Sequence, residues 1–211
     1  MAVYNWVFGV QCACLSLFVI SVPVYLLVIF LVVKFRRVES DFRSPFFVLW
    51  IHLGLTDLSH ATSFWFSGKL PLMGFFPDFY LNAGRNAAKG IMYFVFATHF
   101  NQVFGIGLIT LNRLTTFLSP TKSESIWSNK KLITFLLAIC WMASFAMAIP
   151  ILYMDMNWVQ MTNESKVAFH FLSHRLAADY MFAIGILLAV VASVIVATYG
   201  FMFYKVIFIA F

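Results

Sequence analysis

Apolar residues fall into five long stretches along the chain, separated by segments in which charged residues, polar residues and prolines collect. Each stretch reaches the roughly 20 residues that a helix needs to cross the hydrocarbon core of a bilayer. The pattern therefore predicts an all-α, multi-pass transmembrane helix bundle that forms one domain over residues 1–211. The five predicted spans are residues 8–33, 45–66, 91–118, 132–151 and 181–203.

Composition supports a membrane protein. Hydrophobic residues make up 63% of the chain and charged residues 10%, whereas soluble domains contain roughly 45–50% and about 25%. So few charges cannot cover a water-facing surface, which excludes soluble and disordered classes. The three cysteines, Cys12, Cys14 and Cys140, lie in apolar stretches and indicate no disulfide framework.

The chain has a net charge of +6, and its basic residues are distributed unevenly over the segments outside the spans. Nine Lys and Arg residues fall on one side of the predicted membrane and five on the other. Because basic residues collect on the cytoplasmic side, we predict an N-terminus outside and expect no nucleic-acid partner. The same orientation places the sequon at Asn163 on the outer side, where glycosylation occurs.

Asp57 is the one formally charged residue of the second predicted span. A charge at the centre of a bilayer costs at least about 2.5 kcal/mol, so its carboxylate must face protein or water. His60 follows three residues later on the same helical face. Two interpretations of Asp57 stay open: a polar switch, or a hydrogen-bonded network that locks helix packing.

The third predicted span carries more polar residues than the others and is therefore predicted to be the central helix. Thr98, His99 and Gln102 lie in its outer half, at a depth where a small molecule could be held. Together with His60 they are the candidate ligand-binding residues. Hydrogen bonding between helices is the alternative role for the same side chains.

The sequence contains no enzyme motif of the GxSxG, HExxH or P-loop type. A lone intramembrane carboxylate with scattered histidines supplies no acid and base pair, and zinc requires three or four ligands. We therefore expect no enzymatic activity, no metal and no cofactor.

The segment that follows the third span carries an Asn112-Arg113 pair, then Pro120, then Trp127 after an isoleucine. This segment resembles the nematode serpentine chemoreceptors of the class gamma and class V group, which are seven-helix proteins similar to G-protein-coupled receptors. Other features agree with the resemblance, namely the Leu-Gly-Leu-Thr-Asp sequence of residues 53–57, Trp141 and Pro150.

The resemblance implies a chemosensory receptor in the plasma membrane of sensory neurons, with the lipid bilayer, a small environmental ligand, a heterotrimeric G protein and a receptor oligomer as partners. It assigns Asn112, Arg113, Pro120 and Trp127 to G-protein coupling, with Arg113 changing partners on activation. An ordinary basic anchor at the membrane surface is the simpler role for Arg113. Because five spans are predicted, we expect the chain to be truncated, without helices six and seven.

Two other functions remain as alternatives. The chain could form a five-span channel or transporter with a polar path at Asp57, His60 and His99, or a non-signalling fragment that modulates a full-length receptor. Asp57-dependent uptake into liposomes would favour the first alternative, and co-purification with an intact receptor would favour the second.

The predicted orientation can be tested through the sequon. We expect Asn163→Gln to abolish a glycan-dependent gel shift when the protein is synthesised with microsomes, because loop four is predicted to face the lumen. A sequon engineered near Lys122, in the opposite loop, is the control. Glycosylation of that control site would contradict the predicted orientation.

Overall fold

The computed structural model describes residues 2–39, 41–161 and 166–209, so the predicted glycosylation residue Asn163 lies outside the described residues. The chain is mainly helical, with one short β-hairpin. The elements are α1 (Ala2–Val38), α2 (Pro45–Phe64), α3 (Leu70–Leu72), α4 (Pro77–Leu118), α5 (Pro120–Trp127), α6 (Lys130–Ala148), α7 (Pro150–Tyr153), β1 (Met156–Gln160), β2 (Val167–Phe171) and α8 (His174–Ile209). A 3-10 turn (Asp41–Arg43) precedes α2, and a π-helical turn (Trp65–Lys69) continues it.

The all-α helix bundle predicted from the sequence is confirmed. Within the described residues, four helices are long and apolar enough to cross a membrane: Gly9–Val38, Pro77–Leu118, Lys130–Tyr153 and His174–Phe208. The 20-residue helix α2 is not among them, because its sequence includes His52, Asp57 and His60. The count of five spans and the outward N-terminus therefore stay predictions.

Helix α4 lies at the centre of the bundle, as its polar residues predicted. It packs against α2, α6 and α8, and it also contacts α5, α7 and both strands. Ala97, Phe100 and Asn101 on this helix are buried almost completely. By contrast, α1 packs mainly against α2, and most side chains of α1 and α8 are exposed and apolar, as lipid-facing helices require.

The hairpin of β1 and β2 is not predicted by the sequence pattern, because charged and polar residues give residues 152–180 the composition of a polar loop. The strands are antiparallel, with Trp158 opposite Phe169. Trp158 packs against Tyr80 at the start of α4, with ring centroids 4.8 Å apart. Asp155, just before β1, forms salt bridges with Arg85 at 3.4 Å and Lys89 at 3.7 Å. We call this side of the bundle the hairpin end, and the opposite side, where α5 lies, the α5 end.

Two residues shape the helices at the hairpin end. Gly84 has φ 76° and ψ 172° inside α4, a conformation that side chains with a Cβ disfavour, and it bends the first turns of that helix. Helix α6 ends at Ala148, and Pro150 begins the short helix α7. Proline has no N–H with which to continue a helical ladder, so it starts a new segment there.

Gly105 lies where α4 packs closely against α2. A Cβ on Gly105 would lie 3.1 Å from Cδ1 of Leu53, whereas a Cβ on Gly107 would meet no atom within 4 Å. A larger side chain at position 105 must therefore displace Leu53.

We expect Gly105→Leu to lower the thermal unfolding temperature in detergent, at a cost of about 1–3 kcal/mol, because extra carbon atoms must enter a packed interface. Gly107→Leu on the same helix is the matched control and should unfold near the wild-type temperature. Equal loss of stability in both variants would show that the close approach of α2 and α4 is not the cause.

Candidate functional site

A cavity of about 280 Å³ lies at the hairpin end, between α2, α4 and strand β2. Its wall combines aromatic and aliphatic side chains with two imidazoles. The lining residues are His60, Phe64, Ser67, Gly68, Met92, Val95, Phe96, His99 and Phe169. Helix α2 contributes to this wall beyond its α-helical part, because the π-helical turn carries Ser67 and Gly68.

His60 is held by helix α4. Its Nδ1 lies 3.2 Å from the backbone oxygen of Val95 and 3.3 Å from Oγ1 of Thr98. Thr98 is completely buried, so it positions His60 and does not itself line the cavity. The ring of His99 lies 5.2 Å from that of His60. Of the predicted ligand-binding residues, these two imidazoles face the same space.

Gln102, the fourth predicted ligand-binding residue, bonds to Asp57 instead of lining the cavity. Its Nε2 donates to Oδ1 of Asp57 at 2.8 Å, and the hydroxyl of Tyr25 donates to Oδ2 at 3.1 Å. Asp57 therefore joins α1, α2 and α4 through its two oxygens. These bonds are the partners that an intramembrane carboxylate requires.

A second polar cluster, which is absent from the predicted site residues, lies toward α6. The Nδ2 atom of Asn101 donates to Oγ1 of Thr56 at 2.9 Å and lies 3.4 Å from Nε2 of His52. The His52 ring meets Trp141 of α6 edge-on at 6.1 Å. Through the two clusters, α2 is connected to α1, α4 and α6 by polar or aromatic contacts.

The four residues predicted for G-protein coupling come together at the α5 end. They line one cavity of about 520 Å³ that is more polar than the cavity at the hairpin end. The complete lining is Arg43, Ser44, Pro45, Phe46, Asn112, Arg113, Thr116, Pro120, Ser123, Glu124, Trp127 and Ser128.

The predicted residues of this cavity differ in accessibility. Arg113 is exposed, and Cζ of its guanidinium lies 3.8 Å from the ring centroid of Phe46 on α2. This is a cation–π contact. Trp127 is only 3% exposed, and its Nε1 donates to Oγ1 of Thr115 at 2.8 Å. Trp127 therefore anchors α5 to α4, while the neighbouring Ile126 is 46% exposed.

Among the described residues, no group of three His, Cys, Asp or Glu side chains could hold a metal ion.

Residues 14–207 of the chain match the model of a protein family, the serpentine-type seven-transmembrane G-protein-coupled-receptor chemoreceptors called Srv. The chain belongs to the Srv family. The resemblance to nematode chemoreceptors of this group is confirmed, and Srv proteins are integral membrane receptors of the plasma membrane. The family is one of chemoreceptors and not of enzymes.

A curated relative, Serpentine receptor class V-1 of Caenorhabditis elegans, is 26% identical over 190 residues. The match covers 89% of this chain and 60% of the relative, so the chain spans about three fifths of the length of that Srv receptor.

The Asp57 network can be tested by stability. We expect Asp57→Ala to destabilise the bundle by about 2 kcal/mol, because it leaves Tyr25 and Gln102 without their acceptor. Asp57→Asn should cost less, because the amide can still accept from Gln102 and donate to the Tyr25 oxygen. Thermal unfolding in detergent measures both variants, and equal losses would argue against the two hydrogen bonds.

Proposed function

We propose that this chain is a chemosensory receptor that binds a small molecule in the cavity at the hairpin end and engages a heterotrimeric G protein at the α5 end. The observation that carries the proposal is that two separate cavities lie along one central helix, α4, one against its middle turns from Met92 to His99 and the other against its last turns from Asn112 to Thr116. Membership of the Srv family supports the same division of roles.

The ligand half of the proposal is supported by the shape and chemistry of the cavity at the hairpin end. An apolar space with a few polar groups is the usual form of a small-molecule site. His60 and His99 supply these polar groups, and Phe169 of the hairpin forms part of the wall. The hairpin therefore covers the side of the cavity that the predicted orientation places toward the outside.

The G-protein half depends on groups that a partner can reach. Arg113 is exposed, and a partner could draw its guanidinium away from Phe46. Ile126 offers an exposed apolar side chain on α5. Trp127 is buried, so in this proposal it holds α5 in place for contact by Ile126 and does not itself touch the G protein.

Helix α4 connects the two halves directly. Arg113 lies 14 positions after His99 on this helix, which corresponds to about 21 Å at 1.5 Å per residue. Gln102 and Asn101 lie between them and bond to α2. A ligand that shifts α4 against α2 would change the geometry of these bonds and of the Arg113 contact with Phe46. In this proposal the α2–α4 pair is the two-state element that signalling requires.

The coupling half can be tested in nanodiscs with purified heterotrimeric G protein from which nucleotide has been removed. We expect Arg113→Ala and Ile126→Asp each to weaken binding of the G protein at least tenfold. Arg113→Ala removes a positive charge from the contact, and Ile126→Asp places a carboxylate where an apolar partner surface would have to remove its water. Fluorescence anisotropy of labelled G protein measures the affinity.

Matched controls lie at the hairpin end. Arg85→Ala removes an exposed arginine, and Val159→Asp places a charge at a residue that is 44% exposed on β1. Both controls should bind the G protein as the wild type does. Unchanged binding by Arg113→Ala, or an equal loss in Arg85→Ala, would overturn the assignment of the α5 end.

A further inference from the structure

We infer that the cavity at the hairpin end selects an uncharged ligand with an apolar body of about ten non-hydrogen atoms and a hydrogen-bond donor, such as a phenol or a small alcohol. The inference rests on the proposed function and specifies the ligand class for its binding site. Its basis is the hydrogen-bonding state of His60, together with the charge and size of the cavity.

The proton on His60 is located by its neighbours. Nδ1 faces the backbone oxygen of Val95 at 3.2 Å, and a carbonyl oxygen can only accept. The Thr98 hydroxyl at 3.3 Å gives its own hydrogen to the carbonyls of its helix, at 3.0 Å and 2.9 Å, and so presents a lone pair to His60. Nδ1 therefore carries the hydrogen.

The other ring nitrogen then has the opposite role. In an uncharged imidazole with the hydrogen on Nδ1, Nε2 is an acceptor. Nε2 of His60 makes no hydrogen bond to another residue in the part of the chain that the structure describes. Since His60 lines the cavity, a ligand with an O–H or N–H can satisfy this acceptor, whereas an ether or a hydrocarbon cannot.

Charge further narrows the ligand class. Among the residues that the structure describes, no Asp, Glu, Lys or Arg belongs to the lining of the cavity. The nearest carboxylate along α2, Asp57, already accepts from Tyr25 and Gln102. Lys69 lies 5.7 Å from the ring centroid of Phe64 but is not part of the lining. A ligand ion would lose its hydration without a paired charge, so an uncharged ligand is favoured.

The volume of the cavity sets an upper limit on the size of the ligand. The cavity measures about 280 Å³, and an apolar cavity of about 150 Å³ holds one benzene molecule. The space therefore accepts one aromatic ring with short substituents. Phe64, Phe96 and Phe169 provide aromatic surfaces against which such a ring can pack.

The test compares isomers of equal size. 4-Ethylphenol and 4-methylanisole share one formula, but only the phenol donates a hydrogen bond. We expect 4-ethylphenol to bind the nanodisc-embedded chain at least tenfold more tightly than 4-methylanisole, 4-methylbenzoate or 4-methylbenzylamine. Isothermal titration calorimetry measures each affinity, with empty nanodiscs measuring partition into lipid.

Variants locate the binding. Gly68→Leu should abolish binding of every probe, because a Cβ at Gly68 meets no atom within 4 Å and the side chain can fill the cavity. His60→Phe should reduce the affinity for 4-ethylphenol to that for 4-methylanisole, and His174→Phe, at an exposed position outside the lining, should change neither.

The outcomes separate the two proposals. If the phenol and the ether bind within twofold of each other in the wild type, and Gly68→Leu abolishes both, the cavity is a ligand site and the donor requirement is wrong. Tighter binding of the carboxylate or the amine likewise overturns the inference alone. If no probe binds in a manner sensitive to Gly68→Leu, the ligand half of the proposed function fails as well.

Discussion

Polar side chains inside the apolar part of the bundle need protein partners, because lipid hydrocarbon offers none. In this chain the requirement is met mainly where α2 meets α4. Asp57 bonds to Gln102, Thr56 bonds to Asn101, and His60 contacts Val95 and Thr98. These bonds fix the rotation of both helices about their axes. The cavity at the hairpin end and the Arg113 contact with Phe46 at the α5 end both depend on that fixed pairing.

Much of this arrangement was predictable because it follows helical periodicity. Asp57 and His60 lie three residues apart, and Thr98, His99 and Gln102 mark the opposing helix, so their partnership could be anticipated without coordinates. Periodicity could not assign individual roles within the set. Thr98 bonds to His60 and Gln102 bonds to Asp57, so of the four predicted ligand-binding residues only His60 and His99 line the cavity. Which side chain bonds to a neighbour and which lines the cavity depends on differences of a few tenths of an ångström in the distances between atoms of neighbouring helices.

The other walls of the two cavities come from segments that are distant from α4 in sequence. Phe169 and Phe46 complete the two cavities from a strand and from the start of another helix, and no local pattern connects them to α4. The hairpin itself left a signal, because Val167, Phe169 and Phe171 alternate with Ala168 and His170. Alternation with period two is typical of a half-buried strand. The charged residues on both sides of this strand give residues 152–180 the composition of a polar loop, which masks the alternation.

The attachment of the hairpin has a chemical consequence. The hairpin is attached to α4 by buried apolar packing, which includes the tilted ring contact of Tyr80 with Trp158, and by the ion pairs of Asp155 with Arg85 and Lys89. All three cysteines of the chain are free. Within the described residues, no disulfide joins the hairpin to α4. Salt screens exposed ion pairs, so ionic strength weakens the ionic part of this attachment and leaves the buried apolar packing in place.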